Sequence, residues 1–193
     1  MAHLAGSPRG DGESPLNRLD LEHIIRAAAE IADDDEIIVI GSQAILGSFP
    51  DAPKELLVST EADVYPKNRP DRADLIDGSI GEGSPFHATY GYYAQGVDET
   101  TAILPPGWRD RLVPVRNENT RGNTGWCLEP HDLVVSKTIA GREKDLLFLE
   151  GAARHRLVDH NRLLARLEET ELDDPRRNLA AARIGSAFQQ AKD

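Results

Sequence analysis

Glu36-Ile-Ile-Val-Ile-Gly-Ser42, answered by Thr60-Glu-Ala-Asp-Val-Tyr-Pro66, decides how the chain is read. Four β-favouring apolar residues run without alternation into Gly-Ser, the pattern of a strand buried on both faces. Gly41 permits a tight turn with close backbone approach, and Ser42 is placed to cap the short helix begun by residues 43–46. Unpaired N–H groups at such a turn make it a site for a phosphate. Glu61 and Asp63 follow at i, i+2 spacing, which on a strand sets both carboxylates on one face. Two convergent acids beside a phosphate-binding turn suggest magnesium, which takes a few carboxylates together with the substrate's own phosphates. The plain alternative is a pair of solvent-facing acids on an edge strand.

Gly-Ser after a strand and an acid-x-acid pair on the next strand resemble the nucleotidyltransferase superfamily related to DNA polymerase β. The downstream run from Glu129 to Phe148, with Ser136-Lys137 and Arg142-Glu-Lys-Asp145, sharpens the likeness. It resembles bacterial nucleotidyltransferase-like proteins of toxin–antitoxin and abortive-infection loci, mycobacterial transferase toxins among them. The resemblance implies an α+β fold, with a nucleotidyltransferase-like mixed β-sheet core, flanking helices and a helical C-terminal part. It implies magnesium-dependent transfer of a nucleoside monophosphate from a nucleoside triphosphate to a macromolecular acceptor, tRNA among relatives. A toxin-like role with a cognate antitoxin partner goes with it. Relatives often add a third carboxylate from a later strand, and Asp98, beyond Tyr92–Val97, is the nearest candidate metal ligand. A rival expectation is a catalytically degenerate relative that only binds a nucleotide or a protein, in the manner of an antitoxin.

The 193 residues suffice for one substantial domain. No apolar run approaches the length of a membrane span, and the N-terminus lacks the apolar segment of a signal peptide, so the expected location is the cytoplasm. The single cysteine, Cys127, excludes an internal disulfide. A net charge of −11 speaks against a broad nucleic-acid surface but leaves room for one local basic patch. Residues 1–17 read as a flexible arm, 18–129 as the nucleotidyltransferase-like core and 130–193 as the helical C-terminal part.

Within the core, Leu21, Ile24, Ile25, Ala28 and Ile31 recur at helical spacing and close in Asp33-Asp-Asp-Glu36, read as a solvated turn. Residues 73–80 predict a short helix and 94–97 a strand. Two more short strands fall at 112–115, an edge strand because of Pro114, and 125–128. Helices are predicted at 131–140, 142–155, about 159–170 and from Asp173-Asp174-Pro175 to about Gln190.

Lys137 lies on the apolar stripe of its helix, where a lysine is costly unless its amine reaches a partner. Asp145 shares a face with Phe148 and Leu149, and Arg142 joins it. Two compatible readings result: a buried pair tying two helices together, or a cationic clamp on triphosphate oriented by Asp145. The catalytic set expected from these readings is Glu61, Asp63, Lys137 and Asp145. The nucleotide-binding set is Gly41, Ser42, Lys137 and Arg142, and the metal set is Glu61, Asp63 and Asp98. Lys144 is expected at the surface, pointing elsewhere. The histidines lack the i, i+4 spacing of a zinc pair, and neither a P-loop nor a nucleophile elbow is present.

Overall fold

A computed structural model describes residues 15–192. The predicted arm of residues 1–17 therefore falls mostly outside the described residues. Its last part is ordered: Leu16 is fully buried, and Asn17 caps helix α1 (Arg18–Ala32) in a reciprocal capping box with Asp20. The apolar stripe of α1 carries Leu21, Ile24, Ile25 and Ala28, all fully buried.

Strand β1 (Glu36–Val39) follows, then the turn at Gly41 and a single 3-10 turn, Ser42–Ala44, continued by helix α2 (Ile45–Ser48). Strand β2 (Glu61–Pro66) carries the acid pair. Helices α3 (Ala73–Ile80) and α4 (Pro85–Tyr90) lead into strand β3 (Tyr93–Gly96). After a loop with two 3-10 turns come the edge strand β4 (Val113–Val115) and strand β5 (Thr124–Cys127). Four helices complete the chain: α5 (Pro130–Ala140), α6 (Glu143–Arg154), α7 (His160–Glu169) and α8 (Asp174–Gln190).

The five strands form one mixed sheet in the order β3-β2-β1-β5-β4. β1 lies at the centre, antiparallel to β2 and parallel to β5, and residues 37–40 are buried as an uninterrupted apolar run requires. β2 is thus an interior strand, so the acid pair does not stand on an edge. β4 is an edge strand, where the missing N–H of Pro114 costs no ladder bond.

One face of the sheet carries Ile37, Val39, Ala62, Val64, Ala94, Gly125 and Cys127. Helices α1 and α3 cover it closely. A Cβ added at Gly125 would stand 2.3 Å from Ile25 Cδ1, and one at Gly96 would stand 2.0 Å from the Ala73 carbonyl oxygen. The register puts Glu61, Asp63 and Tyr65 on the other face, beside Ile38, Tyr93, Gln95 and Trp126.

The acidic turn after α1 is less solvated than its composition predicts. Asp34 is buried and accepts hydrogen bonds from the backbone N–H groups of Asn68 and Arg69 and from the Asn68 side chain. It clasps the loop that leaves β2.

Candidate active site

The turn and the acid pair meet by direct contact. Ile40 N–H donates to the Asp63 carbonyl oxygen at 3.0 Å, continuing the ladder one residue past β1. Gly41 follows with φ −80° and ψ −170°, a conformation open to any residue. Its glycine character comes instead from space, since an added Cβ would stand 2.2 Å from Asp63 Oδ2. Gly41, and not Ser42, is the N-cap, and no side chain caps this turn. The predicted Ser42 cap is thereby corrected: Ser42 is the first residue of the 3-10 turn. Its N–H and that of Gln43 have no intrahelical acceptor and remain donors at the turn. The helical stretch here is short, so these local N–H groups matter more than a macrodipole.

Asp63 is half-buried. Burial raises its proton affinity above the usual carboxylate range, and the neighbouring Glu61 charge adds to this, against opposing charges on Lys137, Lys144 and Arg142. All five of these ionic groups therefore act on one small volume. Glu61 Oε2 accepts a hydrogen bond from the Tyr93 hydroxyl at 3.0 Å, and Glu61 Oε1 lies 3.7 Å from Lys144 Nζ. Lys144 thus turns toward the acid pair, correcting the expectation that it points elsewhere. The Tyr93 ring is backed by His87 of α4, with ring centroids 4.6 Å apart.

Lys137 on α5 and Asp145 on α6 meet across the break at Gly141, whose φ of 65° favours glycine. Lys137 Nζ donates to Asp145 Oδ1 at 3.2 Å and sits 4.9 Å from the Phe148 ring centroid. Arg142 donates through Nε to Asp145 Oδ2 at 2.7 Å and through a second nitrogen to Oδ1 at 3.3 Å. Burial opposes the Asp145 charge, yet Arg142 and Lys137 hold its carboxyl below the usual range. Burial likewise lowers the Lys137 amine, with Asp145 opposing. The buried pair of the first reading is present, and the charges of Lys137 and Arg142 oppose the upward shift of Asp63.

Asp98 has a different place. It is exposed, caps the 3-10 turn Glu99–Thr101, and accepts from the Thr100 N–H and hydroxyl. On β3, the residues paired with Glu61 and Asp63 are Tyr93 and Gln95. A tyrosine and an amide therefore fill the positions beside the acid pair where a later strand would bring a third carboxylate. Among the described residues, no three His, Cys, Asp or Glu side chains gather as a metal cage. The donor set that does converge, two carboxylates beside free N–H groups, suits magnesium carrying phosphates better than a closed protein cage.

Tyr93 and Lys144 are the neighbours of the acid pair that sequence reading missed. Strand register and helix placement bring them to Glu61, and neither contact has a local sequence signal.

A mixed sheet whose central strand ends in Gly-Ser, against two acids on an interior strand, is the framework of a nucleotidyltransferase. The chain belongs to the family described as "Nucleotidyltransferase of unknown function (DUF6036)", whose family model matches residues 19–192. No curated protein and no solved structure matches it. Among the described residues, no helix is long and apolar enough to cross a membrane.

Proposed function

We propose that the chain is a magnesium-dependent nucleotidyltransferase that moves a nucleoside monophosphate from a nucleoside triphosphate to a macromolecular acceptor. The observation that carries this reading is the contact of Gly41 with Asp63, which fixes a phosphate-binding turn directly against an acid pair. Glu61 and Asp63 are the carboxylates to hold the ion. When bound, magnesium offsets phosphate charge and makes the acceptor hydroxyl easier to deprotonate.

The Ser42 and Gln43 N–H groups bind phosphate oxygens at the turn. Lys137 supplies fixed positive charge behind Asp63, and Asp145 keeps that amine in place. Arg142 and Lys144, with side chains 62% and 57% exposed, form a local basic rim in a molecule of net charge −11. Such a rim suits an RNA backbone. By resemblance the acceptor is tRNA, the role is toxin-like, and a cognate antitoxin is the protein partner.

A second reading has one specific observation in its favour. With Tyr93 and Gln95 beside the acid pair in place of a third carboxylate, the chain acts as a nucleotide-binding or antitoxin-like module without transfer. One experiment separates the two. Radiolabelled triphosphates are incubated with protein and total RNA, with and without magnesium, beside Asp63→Asn. Label on RNA or protein that requires magnesium and Asp63 supports transfer. Metal-dependent triphosphate binding without label supports the second reading. Triphosphate binding that is equal in chelator and magnesium defeats the transferase reading.

A further inference from the structure

On the face that carries Glu61 and Asp63, the sheet has a second feature. A small cavity of about 130 Å³ is lined by Ile38, Tyr65, Lys67, Arg109, Leu112 and Trp126. Its floor is a row across three adjacent strands, because Ile38 pairs with both Tyr65 and Trp126. Its roof is the 3-10 turn Trp108–Arg111 and Leu112, which follows it. The result is a slot lined by two aromatic side chains, apolar below and bounded by ion pairs at the rim.

The rim carries both signs: Lys67 Nζ lies 2.6 Å from Glu36 Oε1, which also accepts from Trp126 Nε1, and Arg109 pairs with Glu99. Lys67 Nζ stands 5.0 Å from the Trp126 ring centroid, and the Arg109 guanidinium stands 4.6 Å from that of Trp108. Tyr65 is 3% exposed, and among the described residues its hydroxyl has no hydrogen-bond partner. The hydroxyl is not one of the fully buried polar atoms left without a partner, so it keeps access to water and is open to a ligand. A flat ring with both donor and acceptor atoms on its edge answers the Tyr65 hydroxyl and a rim of paired cations and carboxylates.

Position supplies the ligand class. Tyr65 follows Asp63 by two residues on β2, so the slot lies about 7 Å along the strand from the acid pair. That is the reach of a single ribose between a base and the phosphorus or hydroxyl that reacts. We propose that this slot is a nucleobase-binding subsite. The identity of its ligand rests on the proposed function, whereas its existence can be tested without it. The base comes either from the triphosphate itself or from the terminal nucleotide of the acceptor.

Unphosphorylated nucleosides test the slot alone, because they need neither magnesium nor the acids. The chain has two tryptophans, Trp108 and Trp126, so Trp108→Phe leaves Trp126 as the reporter. In chelator, adenosine, guanosine, cytidine and uridine are titrated at millimolar concentration while Trp126 fluorescence is followed. At least one is expected to quench it saturably. Leu112→Phe, which fills the slot, is expected to weaken this by about tenfold or more, the scale of one lost base–aromatic contact. Tyr65→Phe keeps the shape and removes the hydroxyl, so it serves as the second variant should Leu112→Phe misfold. It is expected to weaken at least one nucleoside severalfold.

Nucleoside binding that triphosphate displaces assigns the slot to the substrate's own base. Nucleoside binding that persists at saturating triphosphate assigns it to the acceptor's terminal base. Quenching with no triphosphate binding under any condition keeps the slot and removes the transferase reading. Absence of quenching by all four nucleosides, or quenching untouched by both variants, overturns the proposal.

Discussion

Gly41 separates two demands that a glycine can answer. Its backbone angles are ordinary, so alanine is strained there only by the Asp63 carboxylate, which an added Cβ would meet at 2.2 Å. Gly41→Ala is therefore expected to fold, displace Asp63 and abolish metal-dependent triphosphate binding. Calorimetry with magnesium and triphosphate, beside a thermal melt, checks this; unchanged affinity removes the turn from the site. The Lys137–Asp145–Arg142 trio makes an ordered prediction. Asp145→Asn leaves a buried amine without its nearest anion and is expected to cost about 3 kcal/mol. Lys137→Met leaves Asp145 still bound by Arg142, so the expected loss is smaller, about 1 kcal/mol. Urea unfolding that ranks the two in the opposite order would show that Lys137 and not Asp145 is the structural member. Asp63 adds a pH signature. Its folded proton affinity is raised by burial and by Glu61, so the stability of the neutral acid is full below the ordinary carboxylate range and lost as pH rises through the folded value. Metal binding needs the charged form and runs the other way. Magnesium-dependent triphosphate affinity is expected to fall on acidification from a pH above about 3.9, the ordinary aspartate value. In Lys137→Met the fall should begin at still higher pH, since Lys137 opposes the upward shift. Identical pH profiles for the two proteins would disconnect Lys137 from Asp63.

Among elements, those with strong local signals were legible in the residues. β1 was readable from its unbroken apolar run, α1 from its period, and α5 to α8 from Pro, Gly and Asp at their ends. Helix α4 was missed because Pro85-Phe-His-Ala-Thr-Tyr90 is too short to show a period and buries no residue fully. The contacts of Glu61 with Tyr93 and Lys144 were missed because they depend on sheet order and on where α6 docks. Asp98 attracted attention by lying near the end of a strand, but its side chain serves its own turn. One connection between elements has no sequence signal. Asp132 of α5, fully buried, is held by Arg111 at 2.8 and 3.0 Å, with Arg166 of α7 at 3.5 Å. It fastens the loop before β4 to the C-terminal helices. Arg111→Met is expected to cost about 3 kcal/mol, because Asp132 keeps only the longer Arg166 contact. A chemical melt showing a loss within a few tenths of a kcal/mol of zero would mean that Arg166 alone satisfies Asp132.

At the scale of the whole molecule, helices α1 and α3 seal one face of the sheet, and that face contains the only cysteine of the chain. Cys127 is fully buried on β5, beside the central strand and under Gly47 of α2, where a Cβ would come within 2.5 Å of the Cys127 Cβ. Burial pushes its thiol up to about 12. The native protein therefore holds a reagent-silent thiol beneath the turn that bears Gly41, and alkylation must wait for the sheet to open. The rate of modification by iodoacetamide becomes a clock for that opening, readable by mass without any introduced label. Ligands that bind the native turn should slow the clock in proportion to their occupancy. Urea should speed it along the same slope that governs global unfolding. A rate that ignores urea would instead reveal a local breathing of α2 away from β5, confined to the region behind the Gly41 turn.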